Sequence, residues 1–223
     1  YVFESDIAIE RVTYIDADLY FLKSPQLIFE EFDSAAKHVL ITDHSYSPEY
    51  DQSATSGRYC VQFITFTRTG GELVRKWWED RCIEWCFARF EDGRFGDQKY
   101  LDDWPDRFKD LVHVLRAKEL ALAPWNATRF PYSSAVFYHF HGLRLTSRHT
   151  IECGGYILPS PLKKYIYTSY FTDIARALNQ LDHVGFKFEP QASSHGFHFR
   201  IISILRRLRK KFLPFIVNTT VDI

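Results

Sequence analysis

Methionine is absent from all 223 residues. The chain therefore does not open on an initiator, and it reads as a segment cut from something longer. Long apolar runs are absent too. No stretch approaches the roughly 18 uninterrupted apolar residues of a membrane-spanning helix, so none is predicted. The opening residues carry no signal-peptide pattern. Net charge is missing, because 28 Lys and Arg balance 28 Asp and Glu. That balance argues against nucleic acid as the main partner. Cysteine is scarce, and Cys60, Cys82, Cys86 and Cys153 contain no C-x-x-C pair. Cys82 and Cys86 share a predicted helix, but two thiols alone make a poor zinc site. Reduced, buried thiols in a cytosolic protein fit better. There are no internal repeats and no low-complexity tract.

What is present points to a globular α/β chain. Apolar residues make up 46% of it, too many for a disordered segment. Its length suits one domain with a full core. Aromatic residues reach 17%, with 13 Tyr and 20 Phe. At that density they build a core and also line sites that stack on bases and sugars.

The organising stretch is Val12-Thr13-Tyr14-Ile15-Asp16-Ala17-Asp18-Leu19-Tyr20-Phe21. It begins as a β-branched and aromatic run, the pattern of a buried strand. It ends in two carboxylates spaced i, i+2, which share one side of a strand about 6.6 Å apart. At an effective dielectric near 20 they repel by roughly 2–3 kcal/mol. A divalent cation removes that cost, and carboxylate oxygens suit Mg²⁺ or Mn²⁺. The bland alternative is a turn in which an Asp caps the next element.

Along the chain, residues 1–11 read as the end of a helix and a turn. Pro25 starts a short helix over 26–32, and 38–42 and 59–67 read as strands. Residues 43–58 form a polar loop of a length that is often functional. The longest helix is predicted over 72–91, with Trp77, Trp78 and Trp85 packing it onto a sheet, and Asp92-Gly93 ends it. Asp97 and Gln98 follow a glycine turn, where Asp97 is a reactive group or a helix cap. Residues 112–115 form a short strand, and 135–140 form the last, carrying His139 with His141 just beyond on the same face. Two histidines at a strand end, beside an acidic pair elsewhere, suit ligand chemistry. Beyond residue 150 the character changes. A helix is predicted over 162–181 and a linker over 183–196. Residues 197–213 read as a basic amphipathic helix suited to an anionic membrane surface.

The set Tyr14-Ile15-Asp16-Ala17-Asp18-Leu19, Gly96-Asp97-Gln98 and Tyr138-His139-Phe140-His141-Gly142 resembles a known family. It is similar to glycosyltransferase family 8 of the GT-A fold, with the ordered motifs D-x-D, D-Q, P-W-N (Pro124-Trp125-Asn126) and H-F-x-G. The stretch from Trp77 to Pro105 also resembles a group of uncharacterised bacterial glycosyltransferase-like proteins. The resemblance covers roughly residues 1–145. It implies a Rossmann-like mixed sheet flanked by helices, incomplete at its N-terminal, nucleotide-binding side. A catalytic domain over 1–150 would precede a helical extension over 151–223. Asp16, Asp18 and His139 would bind Mn²⁺ or Mg²⁺, and Asp97 and Gln98 would face the sugar and the acceptor. Arg144 would meet phosphate, since Gly142 is followed by Leu143-Arg144-Leu145 where the family has K-P-W. The family's F-N-x-G strand is replaced by Tyr59-Cys60-Val61-Gln62-Phe63. The implied partners are a nucleotide-sugar donor, UDP-linked above all, and a glycan or lipid-linked acceptor. The implied place is the cytoplasm, peripheral on the inner face of the membrane.

Two other readings stand beside this one. A strand ending in D-x-D also opens haloacid-dehalogenase-type phosphatases, but Tyr20 stands where that family wants Thr or Val. A truncated, non-catalytic remnant or membrane-associated scaffold would rest on the basic tail.

Overall fold

The computed structural model describes residues 1–191 and 220–222. Two compact units divide the chain, Tyr1–His139 and Phe140–Ile223.

The first unit opens with α1 (Val2–Ser5) and β1 (Arg11–Ile15), then β2 (Leu19–Phe21), α2 (Gln26–Ala35) and β3 (Val39–Asp43). It continues through α3 (Ser53–Ser56), β4 (Tyr59–Thr67), α4 (Glu72–Glu84), α5 (Trp104–Arg107), β5 (Val112–Val114), β6 (Ala121–Leu122) and β7 (Phe137–His139). A four-stranded mixed sheet runs β1-β4-β3-β5, and a three-stranded one runs β2-β7-β6. Its strands alternate their side chains between two apolar clusters. Val39, Ile41, Val61, Ile64 and Phe66 join Val74 of α4 with Leu101 and Trp104. Leu40 and Phe63 join Ile28 and Phe32 of α2 with Phe137 of β7. Trp77 packs edge-on against Phe108, and Trp78 edge-on against Trp104, so these indoles hold α4 onto the core as the sequence predicts.

Strand β4 matters most for the site. Its pairing with β1 is regular, from Arg11↔Thr67 to Ile15↔Phe63. Its pairing with β3 is not, because Leu40 faces Thr65 while Thr42 faces Cys60. Two steps on β3 therefore answer five on β4. The slip turns both Val61 and Ile64 to one cluster and leaves Gln62 within the irregular stretch. Such irregularities re-aim side chains.

Several expectations are corrected. β1 is an edge strand, half-exposed, with Tyr14 50% and Ile15 45% exposed, because its apolar residues pack on one neighbour only. The long helix stops at Glu84, and Trp85 turns extended (φ −160°). Trp85, Cys86 and Phe90 thus lie beyond it. Asp92 (φ 49°) and Gly93 (φ 76°) do not cap a helix. They form the two-residue turn of a tight hairpin in which Glu91 and Arg94 pair, as D-G does when both central residues take positive φ. The strand predicted over 135–140 is confined to Phe137–His139. The loop after β3 contains α3 and a single 3-10 turn at Pro48–Tyr50. All four cysteines are free.

The second unit opens on structure that the sequence reading placed in no element, the hairpin β8 (Leu143–Ser147) and β9 (Thr150–Cys153). β10 (Thr220–Asp222) adds to β9, with Thr220 opposite Glu152. A helical stretch follows as predicted, made of α6 (Ser160–Leu162), a π turn at Lys163–Tyr167 and α7 (Thr168–His183). Phe140 stacks on Tyr170 with centroids 3.8 Å apart, and Ile166, Tyr167 and Phe171 are buried. The basic segment 197–213 lies outside the described residues.

Candidate metal centre

Asp16 and Asp18 do not sit on an extended strand. They occupy the tight turn between β1 and β2, closed by the Leu19 amide donating to the Asp16 carbonyl at 3.2 Å. The turn brings both carboxylates to one side. β2 then runs antiparallel to β7 with Leu19 opposite His139, which delivers the imidazole to that turn. One ligand atom from each of Asp16, Asp18 and His139 lies within 4.8 Å of the others, and they are the only such cluster among the described residues. His139 Nε2 is 3.1 Å from Asp18 Oδ1 and 3.8 Å from Asp16 Oδ2. The acids face water more than the base does, with side chains 21% and 43% exposed against 6%.

The support around these groups is dense. The Asp16 amide donates to the Gln62 carbonyl at 3.0 Å. Tyr14 donates its hydroxyl to Asp16 Oδ1 at 2.8 Å. That bond, with burial and the Asp16 charge, pushes the phenol up to about 12. Trp125 stands edge-on to His139 at 5.2 Å, and its indole N–H is tied to the His44 carbonyl at 2.9 Å.

Asp97 lies within the field of this cluster. Burial chiefly, and the charge of Asp16, hold its carboxyl above the usual range, against the opposing pull of the Asp97 and Gln98 amides. Trp78 donates to the Asp97 carbonyl at 2.8 Å. Cys60 is buried among the same charges. Burial first, then Asp16, Asp97 and Asp18, push its thiol up. Gln98 spends its amide nitrogen on the Ser56 carbonyl at 2.8 Å, and Lys99 reaches the Ser53 carbonyl at 2.8 Å. The segment after Gly96 thus pins the loop that follows β3. Arg144 lies in the second unit, exposed on β8 opposite Glu152. His141 also falls in the second unit, where its Nδ1 is 2.9 Å from the Tyr156 hydroxyl.

Sequence reasoning assigned no role to Gln62, Tyr14, Trp125 or His44. His44 is 3% exposed, and burial holds its imidazole down to about 4. Its Nδ1 has no hydrogen-bond partner among the described residues. Gln62 left a signal as a lone amide inside an otherwise apolar and hydroxylated strand, and Tyr14 and Trp125 stand within motif stretches.

The donor set fits a hard divalent cation. Two carboxylate oxygens and one imidazole leave positions for water or further oxygens, as Mg²⁺ and Mn²⁺ require. No helix among the described residues is long and apolar enough to cross a membrane.

No protein-family model matches the chain. Two uncharacterized proteins of Bacillus subtilis strain 168 are similar to it. YfnD is 30% identical over 193 residues, covering 77% of this chain and 60% of its own length. YfnF is 30% identical over 170 residues, covering 68% and 55%. The chain thus spans less than two thirds of either relative. Among solved structures, the apo form of mouse xyloside xylosyltransferase 1 aligns with a TM-score of 0.37 and 16% identity, over 61% of this chain and 59% of that one. That likeness is too distant to carry function.

Proposed function

We propose that this chain carries the cation-binding and acceptor-facing part of a glycosyltransferase that uses a nucleoside-diphosphate sugar. The observation that supports it best is the convergence of Asp16, Asp18 and His139, drawn from residues far apart in sequence, with Asp97 in their field. Their order and the D-Q and H-F-x-G residues resemble glycosyltransferase family 8.

In this reading Asp16, Asp18 and His139 hold Mn²⁺ or Mg²⁺. The bound cation supplies Lewis acidity toward the leaving diphosphate. The chain's own groups do the rest. Tyr14 and the Gln62 carbonyl keep Asp16 in place. Asp97, with its carboxyl held above the ordinary range, is suited to exchange a proton with the acceptor hydroxyl. Gln98 orders the loop after β3 through Ser56, which shapes the acceptor side. Arg144 offers a cation to phosphate. UDP-sugar is the donor, and a glycan or lipid-linked hydroxyl the acceptor. Residues 197–213 attach the chain peripherally to an anionic membrane surface on the cytoplasmic side.

Calorimetric titration with UDP tests this, with Mn²⁺ present and then removed by EDTA. Binding that needs Mn²⁺ is expected. Binding indifferent to EDTA would overturn the site. Absence of binding both in this chain and in a longer form restoring the length of its relatives would overturn the function.

A further inference from the structure

Gln62 is fully buried, so both ends of its amide need partners. Its Oε1 lies 2.7 Å from His139 Nδ1, and its Nε2 lies 3.2 Å from Thr42 Oγ1. The Thr42 hydroxyl in turn lies 3.4 Å from the Cys60 carbonyl. The direction of this chain is decided at its far end, because a carbonyl only accepts. Thr42 donates to Cys60 and accepts from the Gln62 NH₂ group, which leaves the Gln62 oxygen to face the ring. An imidazole that meets an oxygen at Nδ1 carries its proton there. Nε2 is then the atom turned toward Asp16 and Asp18.

We infer that Gln62 is a positioning residue that holds His139 in the Nδ1–H form and so makes Nε2 a cation ligand. This rests on the cation site of the proposed function. The same residue holds Asp16 through its main-chain carbonyl at 3.0 Å. One position of β4 therefore sets two of the three ligands, one by backbone and one by side chain. The register slip between β3 and β4 is what places it there.

Its being an amide matters too. Two carboxylates and a neutral imidazole balance a divalent cation, and the balanced site accepts a diphosphate. A third carboxylate behind His139 would strengthen the hold on the cation and repel the diphosphate.

The test titrates Mn²⁺ into the full chain, its Gln62→Leu variant and its Gln62→Glu variant, each checked for fold by circular dichroism. Gln62→Leu is expected to weaken Mn²⁺ binding roughly 10–100-fold. Gln62→Glu is expected to bind Mn²⁺ at least as tightly as the parent, and to bind UDP more weakly once Mn²⁺ is bound. Equal Mn²⁺ affinity of Gln62→Leu and the parent would overturn the inference and leave the cation site standing. A Gln62→Glu chain as poor as Gln62→Leu would overturn it as well. A parent chain that binds no Mn²⁺ would overturn both. A readout that needs no variant is the proton itself, followed by ¹H–¹⁵N correlation of the His139 ring in the parent. Nδ1 is expected to be protonated both in EDTA and in Mg²⁺. A bare Nδ1 would mean that Gln62 turns its NH₂ to the ring, with the proton on Nε2, and would overturn the inference whatever the Leu variant does.

Discussion

Two strand ends of the same sheet carry carboxylates and treat them in opposite ways. Asp43 closes β3 with its side chain 7% exposed. Lys118 meets it at 3.0 Å, Arg58 at 3.2 Å, and the Ser45 amide at 2.7 Å. Burial alone would raise its carboxyl, but these donors outweigh it and hold the group below the ordinary range. At the end of β1 the turn presents Asp16 and Asp18 to an imidazole and a phenol, and Asp97 adds a further carboxylate nearby. There the carboxyl of Asp97 is held up, not down. The first site is complete within the chain. The second brings Asp16, Asp18 and His139 close enough together to hold a metal ion, with Asp97 in their field.

The comparison breaks most sharply on Asp18→Ala. Mn²⁺-dependent UDP binding should fall by more than about 100-fold in calorimetry, since the loss of a ligand exceeds that of an outer-shell partner. Melting in EDTA should hold steady or rise, because a like charge has gone. A large loss of stability in EDTA would place Asp18 with Asp43, as a structural acid.

Asp43→Asn should do the reverse, destabilising the chain by about 2 kcal/mol with the cation affinity retained. Both cations are partly in water, which keeps the figure modest. The pH dependence follows from the direction of the shift. A carboxyl held down in the fold stabilises above its unfolded value, near pH 4, and loses that contribution as pH falls through the lower folded value. The melting temperatures of parent and variant should therefore converge in acid.

The smallest effect is expected at Asp97→Asn. A carboxyl held up in the fold costs stability as pH rises from about 4 through its raised folded value. The variant should melt about 2 °C higher at pH 7 and level with the parent near pH 3. Melting curves that run the other way would deny that burial and the Asp16 charge hold this carboxyl up.

The three residues that converge were legible in the sequence, and the geometry that brings them together was not. Asp16, Asp18 and His139 stand out because few side chains ligate cations and these end apolar runs. The strand over 59–67 was legible in full, from Tyr59 to Thr67, because turn residues flank a long β-branched and aromatic run. The end of the long helix at Glu84 was not, since Trp85, Cys86 and Phe90 continue a helical period that the hairpin at Asp92-Gly93 overrides. β8 and β9 were missed because Leu143–Cys153 is short, polar and only partly buried over its first strand. Gln62 could not be placed, because a register slip is a property of two strands together, and no single strand records it.

That slip also shapes how the protein can change. Val39 and Leu40 keep their partners on one side of it, and Thr42 and Asp43 keep theirs on the other. Between them Phe63 and Ile64 stay paired to β1 and the Asp16 amide holds the Gln62 carbonyl, so this stretch of β4 is secured from one side only. A change of the side chain facing His139 therefore removes the imidazole's partner while the β1 ladder keeps its register.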